Sequence, residues 1–232
     1  MVRIEIQNLN QLNIEEIDVG SWVGAECRKK MKRLKREKDK KAAFAGEYLF
    51  SKGILFLKEA DALPKQLFTQ EEEIPPVPYE RNQYGAPYLP GGGLYFNWSH
   101  SGDYAACVIA DCPVGIDIQK KQKFRLAVAK RYYPERIVKG LSSLPGDEQE
   151  KLFFRYWTLW EACLKARGTG FYENVRPLPL YSENLPDCGK IYVKEKEIWH
   201  YHFLSSIEEY DIPGYECCLV SREKTGEEVF IL

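Results

Sequence analysis

No stretch of this chain approaches the roughly 18 uninterrupted apolar residues of a membrane-spanning helix, so no membrane partner is expected. Its opening, MVRIEIQNLN, has neither the basic start nor the apolar core of a secretory leader. Histidine is scarce, with 3 in 232 residues, and the 7 cysteines form no CxxC pair. Disulfide frameworks and zinc sites both use regular cysteine pairs, so free thiols in a reducing, cytoplasmic setting are expected. Cys217-Cys218 then reads as two small strand residues. The nucleophile elbow GxSxG is absent, which removes hydrolase chemistry of that type. A bias of charge is missing too, the formal net charge being −1.

That balance hides one concentration. RKKMKRLKREKDKK, residues 28–41, holds ten basic residues and two acids, while elsewhere 23 basic residues face 32 acidic ones. Blocks of like charge are commonly solvated helix faces. The functional alternative is a polyanion contact: nucleic acid, a phosphate-bearing cofactor or an acidic partner. No nucleic-acid-binding motif accompanies the block and the chain as a whole is not basic, so nucleic acid is not expected.

At 44% hydrophobic the chain can bury a substantial core. Val2, Ile4 and Ile6 alternate as in a strand, and residues 22–57 show helical spacing, with Phe44, Tyr48, Leu49 and Ile54 recurring. Residues 61–93 are punctuated by proline and glycine and read as loop, either a coenzyme-binding loop or a long connection. Two apolar runs, 104–110 and 114–118, flank Asp111-Cys112-Pro113 and predict a β-hairpin. Residues 124–140 look helical, and a second strong helix spans 147–167 before Gly168 and Gly170 stop it. Beyond 188 the segments IYVKEKEIWHYHFLSS, YECCLVS and EVFIL read as antiparallel strands. This order predicts an α+β fold of two halves of similar make-up, joined near residue 112.

The run PVGIDIQ carries the first chemical signal. Val114, Ile116 and Ile118 alternate with Gly115, Asp117 and Gln119, so one face is apolar and the other presents an acid beside an amide. In the helix DEQEKLFFRYWTLWEACLKARG, Phe153, Trp157, Trp160 and Leu164 share one arc and form a core stripe. Phe154, Thr158, Glu161 and Lys165 lie on the adjoining arc. Alone, Glu161 and Lys165 are an ordinary i,i+4 ion pair of a few tenths of a kcal/mol. With Asp117 on a strand, two carboxylates can converge on one Mg²⁺, a hard cation held by one or two carboxylates and substrate phosphates. A lysine one turn away would neutralise phosphate, which describes phosphoryl-type transfer. Ser99 and His100 of NWSHS suit phosphate oxygens. His200 and His202 alternate in WHYHF, where a half-exposed strand face outweighs a metal site.

YGAPYL, FNWSHSG, VGIDIQ and RYWTLWEACLKARGTG resemble, in order and spacing, the signatures of the surfactin-type 4′-phosphopantetheinyl transferases. DKKAAFAG, residues 39–46, resembles a further segment of that family, and the likeness spans about residues 26–170. The resemblance implies two similar α/β subdomains, 1–112 and 113–232, about a pseudo-twofold axis, each a small sheet packed with a long helix, in a monomer. It implies transfer of 4′-phosphopantetheine from coenzyme A to a serine of an apo acyl or peptidyl carrier protein, with release of 3′,5′-ADP. By the same resemblance Asp117 and Glu161 would hold Mg²⁺, with Gln119 beside them, and Glu161 would help deprotonate the serine. Lys165 would stabilise the pyrophosphate, Ser99 and His100 would contact phosphate, Tyr84, Gly85 and Pro87 would border the adenine, and Lys41 with part of 28–36 would meet the 3′-phosphate or the carrier. The carrier would face the C-terminal half.

Three positions depart from the family pattern. Gln119 stands where many members have Glu, so one negative charge is lost at the metal. Ala86 stands where many have Lys, and Trp160 where a Lys usually precedes Glu-Ala. Trp160 falls in the core stripe, so its effect belongs to packing. A catalytically impaired coenzyme A or carrier-protein binder is therefore the alternative, against which the joint retention of Asp117, Glu161 and Lys165 weighs. Asp117→Ala is expected to abolish transfer and leave the fold intact, on the view that the ligand sits in a wet cleft.

Overall fold

The structure, a computed structural model, describes residues 1–64, 67, 74–123, 125–170, 185–193 and 197–223. Along these residues run β1 (Val2–Asn8), α1 (Val19–Trp22), α2 (Ala25–Arg33), α3 (Glu37–Glu59), β2 (Glu80–Arg81), β3 (Pro87–Tyr88), β4 (Tyr95–Ser101), β5 (Tyr104–Ala110) and β6 (Val114–Lys120). There follow α4 (Leu126–Tyr132), α5 (Glu135–Ser143), α6 (Gly146–Ala166), β7 (Cys188–Val193), β8 (Glu197–Phe203) and β9 (Tyr215–Ser221). Antiparallel strands form a sheet β1-β5-β4, a ribbon β2-β3 and a sheet β6-β9-β8-β7. The fold is α+β, as expected.

The alternation read in the strands decides which face each helix covers. α3 buries Phe44, Leu49, Phe50, Ile54 and Leu57 against Ala105, Cys107 and Ile109 of β5. Each such large apolar side chain contributes about 1.5–3 kcal/mol. The other face of β5, with Ala106 and Val108, meets Val114, Ile116 and Ile118 of β6 in a second apolar layer. α6 closes the far side of β6 and β9, burying Phe153, Trp160 and Leu164 of the predicted stripe; Trp157 is only partly buried, and Phe154 and Thr158 of the adjoining arc are buried as well. Trp160 packs on Tyr132 and Trp157, with ring centroids 5.3 and 5.6 Å away. In β8, Trp199, Tyr201 and Phe203 point into that core, which leaves His200 and His202 half-buried on the opposite face. All seven cysteines are free, and only Cys188 is exposed.

Three expectations need correction. Residues 104–110 and 114–118 are strands but not a hairpin: β5 pairs with β1 and β4, whereas β6 crosses to the other sheet and pairs with β9. β6 is covered on both faces, so its pairing is set by the core rather than by the three residues before it. β5 makes its hairpin with β4, through Gly102-Asp103, with Gly102 in the left-handed region at φ 58°. The helical stretch 22–57 is broken at Val23–Gly24, and again at Leu34–Arg36, where Glu37 and Asp39 open a new helix because the dipole favours acids and Lys30, Lys32 and Arg33 close the previous one. Residues 125–143 split before Pro134, since the residue preceding proline is driven out of the α region. The EVFIL strand lies outside the described residues.

Candidate active site

β4 and β6 run side by side, and their neighbouring side chains build the centre. Asp117 is fully buried, at 0% exposure. Its Oδ1 accepts from Ser99 Oγ at 2.7 Å and from Lys165 Nζ at 2.7 Å, and its Oδ2 accepts from Gln119 Nε2 at 3.1 Å. Lys165 Nζ also donates to the Ile116 carbonyl at 3.1 Å. The charge of Lys165 still acts on Glu161 one turn away, and its ammonium also reaches across to the strand. Asp117 does not sit in a wet cleft: its carboxylate has been taken out of water and is held by three donors.

Gly115 makes this meeting possible. A Cβ built there would stand 2.2 Å from the Ala162 carbonyl oxygen and 2.4 Å from the Ala166 nitrogen. The backbone of α6 therefore lies directly on the strand, two residues before Asp117, where Glu161 and Lys165 flank the contact. Burial first, and then the charge of Asp117, push the Glu161 carboxyl up to about 7, with Lys165 opposing. Two carboxylates forced together in this way are each other's electrostatic cost unless a proton or a cation intervenes.

A cation fits that pair. Among the described residues no three His, Cys, Asp or Glu side chains converge, so a closed protein cage is not built. Two hard oxygen donors are the kind that Mg²⁺ takes, with waters or phosphates in the rest of its shell. Gln119 turns its nitrogen toward Asp117, while its Oε1 accepts from Ser101 Oγ at 3.4 Å. To offer oxygen to a cation the amide would have to turn over.

A mainly basic cavity of about 420 Å³, with Glu26 and Glu47 also on its wall, reaches Trp98, the β4 neighbour of Ser99. Lys29, Lys30 and Arg33 from α2 and Arg81 from β2 supply cations, and Trp98 and Tyr79 supply aromatic walls. His100 links the two places. Its ring is open to solvent on one side, but the protein around it, and then the charges of Lys30 and Lys165, hold its pKa below the ordinary histidine value. The charges of two lysines near the imidazole favour an anion in that neighbourhood. Lys41 lies half-buried on α3 and is not a wall of this cavity. Lys30 and Arg33 fall in the basic block, whereas Arg81, Tyr79 and Trp98 were not singled out in the sequence. Arg81 beside YGAPYL was the available signal.

Tyr84 and Gly85 lie in the β2–β3 turn, with Gly85 at φ 82°, and Pro87 opens β3. Pro87 and Ala86 face a second cavity of about 560 Å³, which Lys165, Gly168 and Trp199 also line. A third, of about 190 Å³, opens beside Gln119, with Gln122, Lys123 and Arg125 above Val128, Phe153, Phe154 and Trp157. No helix among the described residues is long and apolar enough to cross a membrane.

A buried carboxylate, a second carboxylate and a lysine on one helix, and an adjoining basic cavity define a centre for handling phosphate. The sequence model of the 4′-phosphopantetheinyl transferase superfamily matches residues 113–220, which include Asp117, Glu161 and Lys165. The 4′-phosphopantetheinyl transferase psf-1 of Bacillus pumilus is 32% identical over 72% of this chain and 68% of its own length. Sfp of Bacillus subtilis strain 168 is 28% identical over 84% and 80% respectively, and ffp of Bacillus subtilis is 27% identical over 88% and 85%. The chain belongs to the 4′-phosphopantetheinyl transferases and is an enzyme of that class, moving phosphopantetheine to carrier proteins.

Proposed function

We propose that this enzyme takes its 4′-phosphopantetheine from coenzyme A and that a Mg²⁺ ion held by Asp117 and Glu161 assists the transfer. The observation that carries this is the joining of Asp117, Ser99 and Lys165 within 2.7 Å contacts, one step from a basic cavity. The 3′-phosphate of the nucleotide enters that cavity, against Lys30, Arg33 and His100. Lys41, outside the walls, adds only long-range charge. The adenine lies along Tyr84, Gly85 and Pro87. When bound, the cation neutralises charge on the pyrophosphate oxygens.

In this reading the pyrophosphate lies beside Ser99 and Lys165, both of which donate to Asp117. Two N–H groups of Lys165 are used by Asp117 and Ile116, and in this reading its charge meets the departing α-phosphate. The serine of the carrier enters from the Gln119 side, where Lys123 and Arg125 rim an aromatic floor suited to an acidic, amphipathic helix. Glu161 takes the serine proton, directly or through one water. A bond forms from the serine oxygen to the β-phosphorus, the bridging phosphorus–oxygen bond breaks, and 3′,5′-ADP departs. Residues 1–112 act as the nucleotide-binding subdomain and residues 113–232 as the carrier-facing one, in a monomer working in the cytoplasm.

The test is intact mass spectrometry of several apo carrier proteins incubated with the enzyme, coenzyme A and Mg²⁺. A phosphopantetheine-sized increment that EDTA removes is the expected result. Coenzyme A binding without any increment would replace this reading with that of an impaired coenzyme-binding relative.

A further inference from the structure

The side chain of Asn82 spans two elements that the proposed site uses together. Its Oδ1 accepts from the backbone N–H of Tyr84 at 2.9 Å and of Ala86 at 3.0 Å, folding the β2–β3 turn over itself. Its backbone N–H and carbonyl close the same turn, to Ala86 O and from Gly85 N, each at 2.9 Å. Its Nδ2 points away from the turn and donates to the carbonyl of Gly168 at 2.8 Å. Gly168 follows the last turn of α6, three residues after Lys165, and is in the left-handed region at φ 64°. That conformation turns the carbonyl outward from the helix end. One amide thus uses both ends at once: the oxygen shapes the coenzyme loop, and the nitrogen ties it to the helix that carries Glu161 and Lys165.

We infer that Asn82 is a positioning residue for the transfer, a latch that fixes the 84–87 turn relative to Lys165 so that loop and helix form one wall of the coenzyme cleft. This rests on the proposed use of coenzyme A. Without the latch the turn hangs from a two-residue ribbon, β2-β3, whose pairing is confined to Glu80–Tyr88 and Arg81–Pro87. A two-stranded ribbon alone is marginal in water. The loop would then sample positions in which its contacts to the nucleotide and those of Lys165 to the pyrophosphate cannot be made together. Coenzyme affinity would fall, while the chemistry at Asp117, once coenzyme is seated, would not.

Asn82→Ala and Asn82→Asp separate the two ends of the side chain. The aspartate keeps an acceptor for the Tyr84 and Ala86 amides, but it has no hydrogen to give Gly168 and sets a carboxylate against that carbonyl. Both variants are expected to raise KM and the calorimetric Kd for coenzyme A by roughly 5- to 30-fold, Asn82→Asp through the one hydrogen bond it loses and Asn82→Ala through the three, with kcat at saturating coenzyme within about twofold. A wild-type KM in Asn82→Asp would confine the residue to its own turn and overturn the latch. So would a kcat loss at unchanged KM, which is what general unfolding gives. If wild-type enzyme itself binds no coenzyme A by calorimetry, the proposed function fails instead, and the two failures are told apart.

Discussion

Two helices lie on two sheets in this chain, and the glycine stands on opposite sides of the two contacts. α3 carries Gly46 and Gly53, and the sheet fills the space with side chains: a Cβ at either would come within 2.6 Å of Trp98 Cδ1 or Ile109 Cδ1. Against α6 the glycine is Gly115, on the strand, and what fills the space is helix backbone. The first arrangement keeps an indole between helix and strand, and that indole becomes a wall of the basic cavity. The second leaves nothing between them, so a lysine of the helix reaches a buried aspartate of the strand at 2.7 Å. One contact shapes a place to bind; the other brings reacting charges together.

The sharpest way to break this contrast is Gly115→Ala. A carbonyl oxygen and a helix nitrogen cannot rotate aside, so α6 must shift bodily. We expect a stability loss of about 3 kcal/mol or more, at the upper end for overpacking. Transfer should fall by about 100-fold or more, as displacements near 1 Å do to positioned groups. Denaturant melts and carrier-labelling rates check both. A variant of near-normal stability and rate would remove the backbone contact as the basis of the site.

Asp117→Ala comes next, and here burial revises the sequence-based expectation of an intact fold. Removing the carboxylate strands Lys165, Ser99 and Gln119 around a cavity. The expected stability loss is about 3 kcal/mol, near the low end for breaking a buried pair because Lys165 keeps some solvent access. Transfer should fall roughly 1,000-fold. Asp117→Asn keeps an acceptor for Ser99 and Lys165, so it should lose the activity and only about 1 kcal/mol of stability. Equal stability losses in both variants would mean that volume, and not the acceptor, matters at this position.

The carboxyl pair gives a pH signature in the metal-free enzyme. Burial and Asp117 raise the Glu161 pKa from an ordinary carboxylate value to about 7. Between these values the folded protein holds a proton that the unfolded chain has lost. Stability therefore falls as pH rises through that window, and is fully present only below it. Melts from pH 5 to 8 should show the decline; Glu161→Gln should flatten it, and added Mg²⁺ should restore stability most at pH 8. A decline unchanged in Glu161→Gln would assign it to another group.

How much of this was legible in the sequence depends on distance along the chain. Asp117 beside an apolar strand face, the wheel of α6, and Ser99 with His100 were all local patterns: most of the wheel's stripe is buried, whereas Asp117 lies out of water and Ser99 turns to it, away from the face that His100 takes. What the sequence could not carry was partnership. Lys165 is one helical turn from Glu161, yet it bonds Asp117, 48 residues away. β6 follows β5 by three residues, yet it pairs with β9, whose Tyr215 lies opposite Lys120. The first depends on Gly115, whose missing side chain lets α6 lie on the strand and is an absence that no periodicity counts; the second is set by the core that covers β6 on both faces. The break at Leu34–Arg36 was visible in principle, because Glu37 and Asp39 interrupt the basic run.

Gln119→Glu has a smaller effect and tests the amide's orientation. The change removes the donor to Asp117 Oδ2 and sets a third carboxylate in the centre. Metal-free stability should fall by about 1 kcal/mol, while the concentration of Mg²⁺ giving half-maximal transfer should also fall. A higher Mg²⁺ requirement would mean that the amide's own hydrogen bonds, and not its missing charge, set the metal affinity.

The smallest effect belongs to the helix side of the comparison. At Gly53 the obstacle is the terminal methyl of Ile109, which can change rotamer. A repacking cost near 1 kcal/mol is offset by the roughly 0.8–1 kcal/mol that alanine gains over glycine in a helix. Gly53→Ala should therefore be nearly neutral in melts and unchanged in coenzyme KM. At Gly46 three indole atoms lie within 2.9 Å of the added carbon, and Trp98 is braced by Phe50, Phe96 and Tyr79. Gly46→Ala should cost about 1–2 kcal/mol and raise coenzyme KM a few-fold by pushing the cavity wall. If Gly53→Ala proved as damaging as Gly115→Ala, the distinction between meeting a side chain and meeting a backbone would fail. The order Gly115, Gly46, Gly53 is what that distinction requires.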